Sequence, residues 1–184
     1  MWRAALGAVL VALALVTLGC AEGAVDVNGR RVDPLREDAP ATLLLFVAEA
    51  CPISNRYVPE INRLYRDYRA RGLRMFLVYA NPGSEPKSVV GHVADYKIEP
   101  PVLIDREQAL VDKTEVERTP EAALFDATDT LVYRGRIDDR FVTYTQRRNR
   151  VTRRELRDAI EAVLEKRPVT VKTTTVAGCH IDRR

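Results

Sequence analysis

Residues 42–48 read TLLLFVA, apolar at every position after the threonine. A strand with one wet face alternates apolar and polar side chains, so an unbroken run of this length marks a strand covered on both faces. Residues 73–80, LRMFLVYA, form a second run, apolar apart from Arg74. Sheets covered on both faces are built with crossover helices. The segment between the runs supplies one. From Pro52 to about Arg71, the residues Tyr57, Val58, Ile61, Leu64, Tyr65 and Tyr68 recur at helical spacing, and Gly72 ends the helix. The chain is therefore an α/β protein with parallel crossovers in its first half.

The alternation continues downstream. Asn81-Pro82-Gly83 turns the chain, and Ser84 is the expected cap of a helix carrying Val89, Val90, Val93 and Tyr96 on one face. PVLID (residues 101–105) is a short extended piece, and residues 107–116 form a weaker helix. After Thr119-Pro120 the period changes. AALF and TLVYRGRI flank the turn DATD, which reads as an antiparallel hairpin. Thr152 and Glu155 make a capping box for a helix with Leu156, Ala159, Ile160, Val163 and Leu164 on one face, stopped by Pro168. A short strand is expected at residues 30–32. The order is that of a thioredoxin-like α/β fold, a central mixed β-sheet flanked by helices on both faces. Periodicity alone leaves other α/β folds open.

The N-terminus reads as an export signal over residues 1–21. Arg3 precedes an apolar stretch, residues 4–18, too short for a comfortable membrane span. Its end has two readings. TLGC places Cys20 as in a bacterial lipoprotein signal, where that cysteine is lipidated, although Thr17 stands where leucine is usual. Cleavage after Ala21 or Gly23 is the rival. The first anchors the protein to a membrane and the second releases it; both are extracytoplasmic, and periplasmic in a cell with two membranes. Residues 22–168 then form one domain and residues 169–184 a tail. A net charge of +3 makes the whole protein no polyanion binder. The basic run QRRNRVTRRELR (residues 146–157) has no interleaved aromatics and reads as a solvated face, so no nucleic-acid partner is expected.

The chain has three cysteines. Cys20 belongs to the signal, which leaves Cys51 and Cys179 in an oxidising compartment, where a pair is a disulfide candidate. Cys51 is followed by Pro52, and proline suits the first helical position because its missing N–H would be unpaired there. Cys51 then sits at the N-cap. Its sulfur faces free N–H groups and the positive end of the helix dipole, which stabilise a thiolate. Ser54, one turn on, can donate its hydroxyl to that sulfur but cannot form a disulfide. Only a thiolate attacks disulfides or peroxides. The competing reading makes Cys51 a small buried filler at the strand–helix junction.

ACPIS after a buried strand, the later RTPEAALFD and the hairpin TLVYRGRIDDRF together resemble the redoxin branch of the thioredoxin superfamily, which includes the thiol-specific antioxidant and alkyl hydroperoxide reductase relatives. The resemblance runs from about Val32 to Lys166. It implies a thiol-dependent oxidoreductase with Cys51 as nucleophile and no cofactor. It also implies a cis peptide at Thr119-Pro120 beside the reactive cysteine, with Pro52, Thr119 and Pro120 lining the substrate site and the Thr119 backbone free to pair with an extended substrate. Pro59 within the helix matches a proline that the family tolerates. The implied substrates are protein disulfides, low-molecular-weight disulfides or peroxides, and the implied reductant is an external thiol. Two departures stand out. Ser54 replaces the second cysteine of C-x-x-C. Ala48 replaces the Thr or Ser that peroxiredoxins carry three residues before their cysteine, and their sulfur-side arginine has only unplaced candidates in Arg118, Arg134 and Arg136, each expected at the surface.

Cys179, in AGCHI after Gly178, can supply what Ser54 lacks if a mobile tail brings it to Cys51, since loop closure costs little more for a long loop than for a short one. An unpaired cysteine in a frayed tail is the alternative. Cys51, Cys179 and His180 also make a three-ligand set suited to copper, which leaves a redox-inert or copper-binding module as a further possibility. His92 is expected on the surface, and Asp138-Asp139 in a solvated turn.

Overall fold

A computed structural model of the chain describes residues 23–36 and 39–184; the export segment, Cys20 and the end of the signal at Ala21 lie outside the described residues. The two apolar runs form β1 (Ala41–Val47) and β2 (Leu73–Tyr79), paired in parallel with Leu43 opposite Met75 and Leu45 opposite Leu77. Every residue of β1 is buried, as a strand covered on both faces must be. Helix α1 (Pro52–Arg69) makes the crossover between them. The chain continues through α2 (Pro86–Tyr96), β3 (Val102–Ile104), α3 (Ala109–Thr114), β4 (Arg118–Thr119), β5 (Glu121–Asp126), β6 (Leu131–Gly135), α4 (Glu155–Leu164) and β7 (Cys179–His180).

The main sheet runs β3-β2-β1-β5-β6. β2 and β3 are parallel, while β5 pairs antiparallel with both β1 and β6. The hairpin around DATD is thus real, held by Asp126, whose carboxylate accepts from the backbone of Thr128 and Thr130. Alternation along β1 sorts its side chains between two cores. Leu43, Leu45 and Val47 meet Ile61 and Leu64 of α1 and Leu156 and Ile160 of α4. Leu44 and Phe46 face the other way, toward Leu110 and Val111 of α3, Val116 and Ile181. The fold is the expected thioredoxin-like α/β sheet with helices on both faces.

Both expected caps are otherwise employed. Glu85, not Ser84, is the N-cap of α2, and the Ser84 hydroxyl donates to Glu49 instead. Arg154 occupies the N-cap of α4, and Thr152 donates its N–H and hydroxyl to Asp139 rather than closing a box with Glu155. Val90 and Tyr96 are exposed, so the buried stripe of α2 is narrower than the periodicity predicts. The segment at residues 30–32 contributes a single bridge, Val25 with Arg31.

Two polar expectations are corrected. Asp138 and Asp139 are buried. The Tyr57 hydroxyl donates to Asp138 at 2.5 Å, and Asp139 gathers Thr152, so the pair pins the long loop after β6 to α1 and to the start of α4. His92 is buried as well, its ring nitrogens facing the Tyr79 hydroxyl at 2.8 Å and Asn55 Oδ1 at 2.9 Å. Burial lowers its pKa, because the charged ring would lose water.

Candidate active site

Cys51 ends the turn after β1 and is the N-cap of α1, with Pro52 at the first helical position. Its sulfur accepts from the Ser54 backbone N–H at 3.5 Å. This is the geometry an orphan N–H of the first turn needs, with sulfur in the place usually taken by a serine or aspartate oxygen. The protonated sulfur donates to the Thr119 carbonyl at 3.1 Å. The Thr119-Pro120 peptide is cis. Cys51, Ser54, Thr119 and Pro120 are all buried, whereas Pro52 is exposed at the helix start.

The hydroxyls of Ser54 and Thr119 are buried and have no hydrogen-bond partner. Both lie near the Cys51 sulfur and favour its charged form. Burial pushes the Cys51 thiol up. The Ser54 hydroxyl and N–H, Thr119 and Cys179 outweigh it, and the pKa falls from 9.0 to about 7. At neutral pH roughly half of this sulfur is thiolate.

The tail is not free. After α4 it returns along β6, where Thr174 N–H donates to Arg134 O and the Thr174 hydroxyl accepts from Arg136 N–H at 2.9 Å. Gly135 has φ +151, and a Cβ there would lie 2.1 Å from the Thr174 hydroxyl, so only glycine lets the tail pass this close. The tail ends as β7, antiparallel to β4, with Cys179 opposite Thr119 and His180 opposite Arg118. Cys179 is thereby brought beside Cys51, close enough for each thiol to shift the pKa of the other. Both cysteines are free thiols. Burial, then the neighbouring Cys51 sulfur and its charge, push the Cys179 pKa up to about 11, while Tyr144 pulls it down. One low and one high thiol side by side is the arrangement in which a single proton is shared unequally, held by Cys179 and released by Cys51.

The backbone of Thr119, expected to be free, is therefore occupied by the chain's own C-terminal strand. The alternative copper set does not converge. Neighbours in a strand point to opposite faces, and His180 is exposed while Cys179 faces Cys51. No group of three potential metal ligands gathers among the described residues. The three arginines are half-buried rather than free at the surface. Arg118 donates to Gly178 O, Arg134 to the carbonyls of Thr114 and Glu115, and Arg136 to Glu155, and none is among the groups that lower the Cys51 pKa.

Two contributors, Glu121 and Tyr144, are not singled out from sequence, and Gly178 is read there only as a source of backbone freedom. Glu121 is buried and its carboxylate accepts the N–H groups of Glu117 and Arg118, both at 3.0 Å, which shapes the approach to Pro120. Tyr144, in the loop after β6, lowers the Cys179 pKa. Gly178 lies against the Thr119 carbonyl. Only Gly178 carries a readable signal, a glycine immediately before a cysteine; the other two act across long sequence separations.

Among proteins of known sequence, the thiol-disulfide oxidoreductase ResA of Halalkalibacterium halodurans is 25% identical over 108 residues, 58% of this chain and 60% of ResA. The chain thus spans less than two thirds of that relative. Two solved structures are similar over most of their length. A hypothetical protein from Sinorhizobium meliloti is 26% identical with a TM-score of 0.72, covering 87% of this chain and 91% of its own. An uncharacterized conserved protein from Geobacillus kaustophilus is 28% identical with a TM-score of 0.74, covering 88% of each. StoA from Bacillus subtilis, 14% identical with a TM-score of 0.52 over 59% of this chain and 81% of its own, shares the fold. Residues 25–147 match the Redoxin family model, which places the cysteine, the cis-proline and the hairpin within one shared domain: the chain belongs to the redoxin family.

Proposed function

We propose that the chain is an exported thiol–disulfide oxidoreductase with Cys51 as nucleophile and Cys179 as resolving thiol. The observation that carries this reading is the Cys51 sulfur at the N-terminus of α1, its pKa lowered to about 7, with Cys179 set beside it by the pairing of β7 with β4. ResA, a thiol-disulfide oxidoreductase by name, supports the same chemistry.

The Cys51 thiolate attacks one sulfur of a substrate disulfide, forming a mixed disulfide and expelling the other sulfur as a thiolate. That leaving thiolate takes up a proton. Cys179 then loses its proton and attacks the Cys51 sulfur, forming Cys51–Cys179 and releasing the second substrate thiol. Two electrons pass from the two cysteines to the substrate, and an external thiol reductant returns them. Ser54 and Thr119 stabilise the Cys51 thiolate as attacker and, in the reverse direction, as leaving group. Peroxide reduction is supported less well, since Ala48 offers no hydroxyl and Arg118, Arg134 and Arg136 are bound to Gly178, Thr114 and Glu155 respectively.

Cys51→Ser is expected to abolish disulfide reduction. Cys179→Ser is expected to keep the first step and accumulate a mixed disulfide on Cys51, visible by non-reducing peptide mapping. Normal turnover in Cys51→Ser would overturn the reading. Intact mass of the exported protein reports whether the signal is removed and whether Cys20 carries lipid.

A further inference from the structure

The Cys51 sulfur is shut in. Cys51 is 1% exposed, and Ser54, Thr119 and Cys179 surround its sulfur. To react, a substrate sulfur must touch it, and Cys179 holds that position. A polypeptide delivering such a sulfur must run beside Thr119, and that edge is already paired with Cys179 and His180. We infer that residues 177–181 are a self-docked occupant of the substrate strand's place, so that the reduced chain stays closed until β7 leaves. The inference rests on the proposed role of Cys51.

The seat is specific. A Cβ on Gly178 would lie 2.2 Å from Thr119 O and 2.8 Å from Thr119 C, so the residue before the cysteine must lack one. Arg118 Nη1 donates to Gly178 O at 3.1 Å. Two residues past the cysteine, Ile181 is buried among Leu44, Phe46 and Val116, and its N–H donates to Glu117 O at 2.9 Å. Gln108 Nε2 then holds Asp182 O at 2.6 Å. The edge therefore fits an extended polypeptide with glycine before its cysteine and a branched aliphatic residue two positions after. A protein disulfide of that pattern is the partner that competes with β7.

The test is alkylation of Cys51 by iodoacetamide in the reduced full-length protein at pH 9, where Cys51 is thiolate, followed by mass spectrometry. Gly178→Val drives a side chain into Thr119 and is expected to speed alkylation about tenfold or more, because a buried group reacts only through local opening. Cys179→Ser keeps the seat and is expected to stay slow. A peptide matching residues 176–182 with serine for its cysteine is expected to restore protection to Gly178→Val, and the same peptide with valine for its glycine is not. Equal rates in Gly178→Val and the parent would overturn the inference, as would equal protection by the two peptides or protection by neither. Should Gly178→Val fail to fold, Ile181→Ser removes the apolar anchor without added bulk and carries the same comparison. Alkylation needs no turnover, so loss of closure and loss of the proposed activity are separate results.

Discussion

Ser54→Ala separates the contribution of one hydroxyl from that of the helix terminus. Ser54 is 1% exposed and its oxygen has no hydrogen-bond partner, so the substitution strands nothing and its effect falls on the Cys51 sulfur. The backbone N–H of residue 54, the helix dipole, Thr119 and Cys179 remain. Hydrogen bonds to a charged group contribute about 1.5–3 kcal/mol, and part of this is recovered from the remaining donors, so the Cys51 midpoint should move from about 7 to about 8. Less thiolate and a more basic thiolate then oppose each other. At pH 6 the thiolate fraction falls about ninefold, but a rise of one in pKa makes each thiolate about threefold more nucleophilic, so alkylation slows about threefold. Above pH 9 Cys51 is ionised in parent and variant alike, and the variant should be about threefold faster. The two pH–rate curves should cross near about pH 7.5. The assay is iodoacetamide alkylation of Cys51 from pH 5 to 10, resolved from Cys179 by peptide mapping. Tail closure scales both curves and leaves their midpoints alone. An unchanged midpoint in Ser54→Ala would refute the role of the hydroxyl, and a parent midpoint near 9 would refute the stabilised thiolate itself.

Tyr57→Phe removes the 2.5 Å hydrogen bond to buried Asp138 and should cost about 1–3 kcal/mol in urea unfolding; no loss would mean that Asp138 is satisfied without it. Leu43→Ala, at a fully buried position of β1, should cost about 2–5 kcal/mol with little change in the alkylation midpoint of Cys51. Gly72→Ala sets a side chain at φ +95 and 2.8 Å from Pro40 Cγ, and should lower stability by more than about 1 kcal/mol by the same unfolding measurement.

What could be read from the sequence was what is local. The run over residues 42–48, the helical stripe from Tyr57 to Tyr68 and the Cys51-Pro52 junction each carry their signal within one turn or one strand, and each stands in the structure as read. The hidden features depend on partners far away along the chain. Asp138 looks like a turn residue until Tyr57 is brought to it, and His92 looks exposed until Tyr79 and Asn55 enclose it. Ser84 and Thr152 have the right residue type for caps, but Glu49 and Asp139 offer their hydroxyls charged acceptors instead. The tail has weak alternation and no apolar stripe. Its seat is made by glycines that permit close approach at Gly135 and Gly178, and by backbone pairing with β4, which composition does not reveal.

The meeting of Cys51 with Cys179 joins the turn after the first strand to the last strand. A bond between them would close a loop of more than a hundred residues, encircling nearly every element of the fold. Chain-entropy reasoning assigns such a closure about 5 kcal/mol, on the scale of a domain's whole stability. Oxidation would then lock the molecule mechanically as well as change its chemistry, and the electron-rich form would be the one that unfolds more readily under heat, denaturant or pulling force.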